Sequence, residues 1–173
     1  MEISPLRGNV DTRLRRVTEG GLDAIVIAMA GLRRLGLSPD LRFTPLDERD
    51  FIPAGGQAVL AIETLASISS PRLDRTLALL NDPRARFETT AERAFLAAIG
   101  ASCATPVGVK ATVAKDAVSL RAILFSSDGS AEMSDELEEP LDVDLAPSAA
   151  QSLGARLGER MLARGADRLI ANE

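Results

Sequence analysis

Residues 107–125 read VGVKATVAKDAVSLRAILF, and this stretch decides the fold of the second half of the chain. Two runs rich in apolar and β-branched residues, 107–114 and 117–125, are typical of strands. Lys115 and Asp116 lie between them and favour a turn. The stretch therefore predicts a β-hairpin of two antiparallel strands.

The segments around this hairpin predict a third strand and several helices. The third strand is expected over 131–138, after the turn-forming Gly129. Apolar residues at helical spacing predict helices that begin at Pro71 and extend over 84–98 and 148–164. We expect an α+β unit with a three-stranded antiparallel sheet and helices on one face.

The first part of the chain has an α/β rhythm. A helix is expected over 10–18, capped by Asn9 or Asp11, and a second over 30–35. Residues 23–29 form a continuous apolar run, which predicts a strand buried on both faces. Another strand is expected over 58–63. Because two strands are too few for a free-standing sheet, this part is expected to be an incomplete domain.

Composition narrows the chemistry. The 173 residues suit one domain or slightly more, and they include no His, Trp or Tyr and one Cys. Without His, the Ser-His-Asp triad, the Cys-His dyad and imidazole zinc sites are excluded, and no metal site is predicted. Cys103 is the one strong nucleophile in the sequence, and a lone thiol favours a reducing compartment. With no bilayer-length apolar run and no signal-peptide pattern, a cytoplasmic protein without membrane partners is expected.

Charge is distributed unevenly along the chain. The net charge is −5, but residues 1–42 hold seven Arg against five acidic residues, whereas residues 128–144 hold eight acidic residues and no basic one. An overall negative charge argues against nucleic acid as a partner. The basic first quarter fits a local site for an anion, and Arg is suited to binding carboxylates.

Three motifs are candidates for chemistry, each with a simpler alternative. Residues 7–13 form a glycine turn before a helix and would suit an anion, or they are a solvated basic helix. Residues 30–36 follow the predicted strand, where open sheets bind ligands, or they are a surface helix with two exposed arginines. Residues 100–108 are a small-residue loop around Cys103, which is either an inert apolar residue or a covalent tether for a prosthetic group.

Together these motifs resemble one enzyme family. The four stretches are RGNVDTRL (7–14), DAIVIAMAGLRRLGL (23–37), FIPAGGQAVLAIE (51–63) and TAERAFLAAIGASCATPVG (90–108). In their order and spacing they resemble porphobilinogen deaminase, also called hydroxymethylbilane synthase. The resemblance runs from Leu6 to the last predicted helix.

The resemblance implies a fold and an activity. Residues 1–65 would be part of the family's second domain, an α/β domain like the periplasmic binding proteins, with the segment that crosses back toward the first domain. Residues 66–173 would be the C-terminal, cofactor-bearing α+β domain. The family is a transferase of tetrapyrrole (haem) biosynthesis, which condenses four porphobilinogen units into hydroxymethylbilane and releases ammonia.

The resemblance also implies site residues. The family carries a dipyrromethane cofactor on a cysteine through a thioether, and Cys103 matches that cysteine. The remaining matched positions are implied to bind the cofactor and the carboxylates of the substrate. They are Arg7, Arg13, Arg34, Ile27, Ala28 and Gln57.

Departures from the family pattern define the alternatives. The family's first domain and its catalytic aspartate have no match here, so no catalytic residue is identified and the chain alone is expected to be inactive. Ala101, Ser102 and Ala58 replace family glycines, and they would strain their loops if those positions need positive φ angles. The chain is then the C-terminal portion of the enzyme, with porphobilinogen and its oligomers as ligands and a separate N-terminal half as a candidate partner. Two other hypotheses stay open. The chain is a non-catalytic module that binds tetrapyrrole precursors or a partner, or it is a decayed pseudoenzyme.

Overall fold

The computed structural model describes residues 2–37, 42–65, 67–68, 70–141 and 145–170. Its internal contacts divide the chain into two compact units, Met1–Leu46 and Asp47–Glu173. Two acidic residues of the stretch 128–144, Asp142 and Asp144, lie outside the described residues.

The first unit contains two helices, α1 (Val10–Thr18) and α2 (Met29–Arg34). Of the two predicted caps, Asn9 is the one used, because its side chain accepts a hydrogen bond from the Thr12 N–H at 2.9 Å. The start of α1 meets α2, since a Cβ placed on Gly31 would lie 3.4 Å from Val10 Cγ2. Both predicted helices of this part are therefore present.

The predicted strands of the first part are not formed. Residues 23–28 and 58–63 pair with no strand in the described part of the chain. Val26 is 65% exposed, so the prediction that the first run is buried on both faces is wrong. A strand needs a hydrogen-bonded neighbour, and the described residues around this run supply none.

The second unit begins with two helices, α3 (Pro71–Leu80) and α4 (Pro83–Ala98). Each has Pro in its first turn, where the missing N–H costs nothing. The side chain of Ser70 accepts from the Leu73 N–H, and that of Asp82 accepts from the Arg84 and Ala85 N–H groups. These caps explain why both helices begin where the sequence predicts.

An antiparallel sheet follows, with strands β1 (Val107–Val113), β2 (Ala117–Phe125) and β3 (Glu132–Pro140) in that order. The helices α5 (Pro147–Ala163) and α6 (Asp167–Ile170) complete the unit. The predicted α+β unit with a three-stranded antiparallel sheet is confirmed, and α6 was not predicted from the sequence.

Helices α4 and α5 cover one face of the sheet. In β2, buried residues alternate with partly exposed ones, as expected for a strand with one face in a core. Phe95 from α4, Leu120 and Leu124 from β2, and Leu153 and Leu157 from α5 are almost completely buried in one cluster. This unit therefore has its own hydrophobic core.

The division between the units falls earlier than the predicted boundary after residue 65. The segment that follows Asp47 is part of the second unit and packs on its sheet. The carbonyl O of Pro53 accepts a hydrogen bond from the Val109 N–H at 2.8 Å. A Cβ on Gly108 would lie 2.5 Å from the Ile52 carbonyl O. Residues 51–56 thus belong structurally with the sheet.

Charged side chains of α5 cover the free edge of β3. Arg160 Nε and Nη2 donate to the two carboxylate oxygens of Asp135, each at 2.7 Å, and Nη2 also donates to the Glu136 carbonyl O at 2.5 Å. Arg164 adds an ion pair to Asp135 at 3.1 Å. Partial burial of Asp135 disfavours its charged form, but these hydrogen bonds and positive charges outweigh burial and lower its pKa.

We expect the Arg160→Ala substitution to lower the free energy of unfolding by about 1 kcal/mol near neutral pH, as for a forked but partly exposed ion pair. The folded state holds the pKa of Asp135 below its ordinary value of 3.8, so this contribution is complete above that value. It is lost as the pH falls through the lowered pKa of the folded state. Urea unfolding at about pH 7 and about pH 3 should therefore show a smaller difference between wild type and variant at the lower pH.

The matched control is the Asp135→Asn variant. In that background, Arg160→Ala should change stability by the same small amount at both pH values. A difference between wild type and Arg160→Ala that does not depend on pH would contradict the assignment of this pair.

Candidate functional site

Cys103 lies at the tip of an exposed turn between α4 and β1. Helix α4 ends at Ala98 with Ile99 as its C-cap, and Gly100 follows with a φ of +68°, a left-handed conformation that glycine adopts without strain. Cys103 is free and exposed. This exposed position contradicts the alternative interpretation of Cys103 as an inert, buried residue.

Hydroxyl groups fix the turn around the thiol. Thr105 Oγ1 accepts from the Ser102 N–H at 2.9 Å, and Ser102 Oγ accepts from the Ala104 N–H at 3.1 Å. The Thr105 carbonyl O accepts from the Val107 N–H at 2.9 Å, which leads directly into β1. Because both residues flanking the thiol are tied to this network, Cys103 is presented from a defined turn.

The three replaced glycine positions, in two loops, behave differently. Ala58 has a φ of +68°, the one left-handed angle among the described non-glycine residues. Neither Ala101 nor Ser102 has a positive φ. The strain expected from the sequence is thus present beside Gln57, at a cost of about 1 kcal/mol or more, and it does not occur beside Cys103.

The glutamine loop is held against the second unit. The buried Glu92 of α4 accepts a hydrogen bond from the Gly56 N–H at 2.6 Å. The turn continues with hydrogen bonds from the Gln57 N–H to the Ala54 carbonyl O and from the Val59 N–H to the Gly56 carbonyl O. Gln57 itself is exposed.

The predicted arginines lie in the first unit, around the two helices. Arg13 Nε donates to the Gly8 carbonyl O at 2.8 Å, which folds its guanidinium back over the turn before α1. Gly8 has a φ of +120°, as a glycine turn requires. Arg7 and Arg34 are exposed, and the guanidinium group of neither makes a hydrogen bond or ion pair within the described ranges.

Arg34 lies in α2, three residues after Gly31. Gly31 faces Val10 at the start of α1. Leu32 is the buried residue of α2, and Arg34, two residues further on, lies on the opposite, exposed side of the helix. Ile27 and Ala28 precede α2, with Ile27 half-buried and Ala28 extended and exposed at the helix cap.

The arginines of the first unit suit a ligand with several carboxylates. Guanidinium groups without protein partners bind carboxylates through paired hydrogen bonds. The start of α1 adds the partial positive charge of a helix N-terminus. An exposed thiol in a fixed turn is suited to a covalent attachment that a flexible, buried cysteine could not make.

Comparison with known proteins agrees with these features. Residues 1–70 match the family model described as "Porphobilinogen deaminase, dipyromethane cofactor binding domain", and residues 86–163 match "Porphobilinogen deaminase, C-terminal domain". The chain belongs to the porphobilinogen deaminase family. Arg7, Arg13, Arg34 and Gln57 lie in the first match, and Cys103 lies in the second.

Individual relatives carry the same name. The porphobilinogen deaminase of Roseiflexus castenholzii is 44% identical over 167 residues, which is 96% of this chain and 52% of the relative. That of Acidothermus cellulolyticus is 38% identical over 172 residues, 98% of this chain and 50% of the relative. That of Roseiflexus sp. is 50% identical over 125 residues, 72% of this chain and 40% of the relative. The chain spans about half the length of the curated relatives it matches.

Sequence reasoning missed two residues that fix the loops around Gln57 and Cys103, namely Glu92 and Thr105. The sequence places Glu92 in a predicted helix, and nothing in its spacing signals a hydrogen bond to a loop 36 residues earlier. Thr105 was read as a member of a small-residue loop. A Ser-x-x-Thr spacing across the cysteine was the one available signal for that hydroxyl network.

No described helix is both long and apolar enough to span a bilayer.

Proposed function

We propose that this chain supplies the cofactor-bearing part of a porphobilinogen deaminase, the cytoplasmic transferase that condenses porphobilinogen into hydroxymethylbilane. The observation that carries the proposal is the position of Cys103, exposed at the tip of a hydrogen-bonded turn inside the stretch that matches the family. The function needs a thiol that a bulky group can reach, and the structure provides one.

Cys103 would hold the dipyrromethane cofactor through a thioether. In forming this bond, Sγ joins the methylene carbon of the first pyrrole, and the thiol proton leaves with the amine of that carbon as ammonia. When bound, the cofactor supplies the free pyrrole α carbon to which porphobilinogen units are added. A covalent anchor keeps the growing chain in place, so each addition is effectively intramolecular.

Arg7, Arg13 and Arg34 would bind the acetate and propionate groups of the cofactor and substrate. Each pyrrole brings two carboxylates, so the growing oligomer is a polyanion. Arg7 and Arg34 have their guanidinium groups available, whereas Arg13 uses Nε on the Gly8 carbonyl O and keeps its terminal nitrogens for a ligand. Ile27, Ala28 and Gln57 would line the same ligand.

The first unit, Met1–Leu46, would be part of an α/β domain like the periplasmic binding proteins. The extended apolar run before α2 has the composition of a buried strand but no partner within the described residues. Strands from a separate N-terminal half would pair with it and cover Val26. Porphobilinogen, its oligomers and that half are the proposed partners.

We expect Arg34→Ala to weaken the binding of porphobilinogen at least about tenfold, because a lost charged hydrogen bond costs about 1.5–3 kcal/mol. The measurement is calorimetric titration of porphobilinogen into this chain, reassembled with the N-terminal half of the Roseiflexus castenholzii relative. Arg7→Ala should weaken binding by a similar factor.

The matched control is Arg33→Ala. Arg33 is equally exposed and neighbours Arg34, but it lies about 100° around α2 from it. Binding that is unchanged in Arg34→Ala and Arg7→Ala, or lowered equally in Arg33→Ala, would refute the assigned carboxylate site.

A further inference from the structure

Strand β1 forms an edge of the sheet, and its outward N–H groups all have partners from outside the sheet. The Val109 N–H donates to the Pro53 carbonyl O at 2.8 Å. The Ala111 N–H donates to Glu92 Oε1 at 3.0 Å, and the Val113 N–H donates to Glu88 Oε1 at 2.9 Å. Two carboxylates of α4 and one loop carbonyl therefore take the place of a fourth strand.

Glu92 differs from Glu88 in making two such bonds. Its Oε1 binds the strand at Ala111, while its Oε2 accepts from the Gly56 N–H at 2.6 Å. Glu92 is 4% exposed, and among the described residues it is the one charged side chain in the buried class. A buried carboxylate is costly unless both oxygens are hydrogen-bonded, and these two amides meet that need.

The loop that Glu92 binds fits closely against the same helix and strand. A Cβ on Gly55 would lie 2.8 Å from Leu96 Cδ1 and 3.0 Å from Val109 Cγ1. The carbonyl O of Ile52 lies against Gly108, where a Cβ would meet it at 2.5 Å. The loop backbone is thus in contact with α4 and with the beginning of β1, the strand that leaves the Cys103 turn.

From these contacts we infer that Glu92 is a positioning residue for Gln57. Its carboxylate joins the loop that carries Gln57, at the neighbouring Gly56, to the helix and strand that flank the Cys103 turn. Gln57 and Cys103, the two predicted cofactor-binding residues of the second unit, then lie in loops that are both fixed to α4 and β1. We call the two hydrogen bonds that Glu92 accepts, from the Gly56 and Ala111 N–H groups, the clamp. The functional part of this inference rests on the proposed role of Gln57, whereas the clamp itself does not.

Glutamine in place of Glu92 should break the clamp selectively. An amide has one oxygen, so it can accept from Gly56 or from Ala111, and its NH2 group would face the other N–H. Glu88→Gln is a matched control on the same helix and strand. Glu88 accepts one hydrogen bond from Val113, which the glutamine oxygen can keep, and its described hydrogen bonds do not include the loop.

Hydrogen exchange of individual amides, followed by NMR, tests the clamp directly. In the wild-type chain the Gly56 amide should exchange at least tenfold more slowly than the Ala58 amide in the same loop. In Glu92→Gln the protection of Gly56 should fall at least tenfold, while Leu120 in the central strand stays protected. Glu88→Gln should leave Gly56 unchanged.

The functional readout is porphobilinogen binding in the reassembled enzyme. Glu92→Gln and Gln57→Ala should each weaken binding, and the double variant should bind no more weakly than Gln57→Ala alone. This lack of additivity is expected only if Glu92 acts through Gln57. A general loss of fold would instead weaken binding further in the double variant.

The outcomes are separable. Should Gly56 exchange as fast as Ala58 in the wild type, the clamp is refuted even when Glu92→Gln does not fold. Additive losses in the double variant refute positioning through Gln57. If Gln57→Ala leaves binding unchanged while Gly56 is protected by Glu92, the proposed role of Gln57 is wrong and the clamp stands.

Discussion

Gly154→Ala should destabilise the second unit by about 3 kcal/mol, a large fraction of the stability of a domain of this size. Gly154 lies in α5 at its crossing with α4. A methyl group there would overlap the carbonyl O of Ala91 and lie 2.7 Å from both Ala94 Cβ and the Phe95 N. Two of these three atoms are backbone, which no rotamer change can move.

The difference in helix propensity between alanine and glycine opposes this effect but is smaller. Alanine favours a helix over glycine by about 1 kcal/mol, so a Gly→Ala change in a helix without a close neighbour would stabilise it. At Gly154 the two helices would have to separate, and that would expose part of the core around Phe95 and Leu153. The steric term therefore outweighs the helix propensity.

Two variants in α5 make the experiment specific. Gly158→Ala should cost less, because the closest atom to its new methyl is the Ala98 Cβ at 2.6 Å and the nearest backbone atom is 3.4 Å away. Ser152→Ala, at an exposed position, should change stability by less than about 0.5 kcal/mol. Urea unfolding in which all three variants behave alike would contradict the proposed close approach of the helices.

Most elements of the second unit, α6 excepted, could be predicted because their signals are local. Ser70 and Asp82 cap helices whose first residues are prolines, so the chain marks both starts within a few residues. The alternation in β2 identifies the face that packs on the helices. These patterns act over one or two turns, which a single sequence displays.

The features that the sequence did not reveal depend on distant partners. The run before α2 has strand composition, but strand formation needs neighbouring strands that the described residues do not contain. Likewise Glu92 resembles any helical glutamate until the loop at Gly56 is packed against it. Composition and periodicity carry no information about such contacts.

The three glycine replacements illustrate the same limit. Whether Ala58 or Ala101 is strained depends on the φ angle of each position, which the residue type alone does not determine. In the Cys103 turn, Gly100 takes the left-handed angle, so Ala101 and Ser102 do not need it. In the glutamine loop Gly56 takes one such angle and Ala58 a second.

Cys103→Ser should abolish covalent loading of the chain with dipyrromethane. Wild-type chain, co-expressed with the N-terminal half of the Roseiflexus castenholzii relative in cells that make porphobilinogen, should gain the mass of two linked pyrrole units. The serine hydroxyl is a far weaker nucleophile than a thiolate, so the variant should keep its unmodified mass. Intact-mass spectrometry measures both.

Peptide mapping locates the modification. Trypsin cuts after Arg93 and Lys110, so the added mass should appear on the peptide 94–110, which contains Cys103. Ser102→Ala is the matched control, because it alters the turn beside the thiol but keeps Sγ, and it should still load. A wild-type chain that stays unmodified, or an added mass that persists in Cys103→Ser, would refute the tether. Since Cys103 is the single cysteine of the chain, no other thiol can account for a positive result.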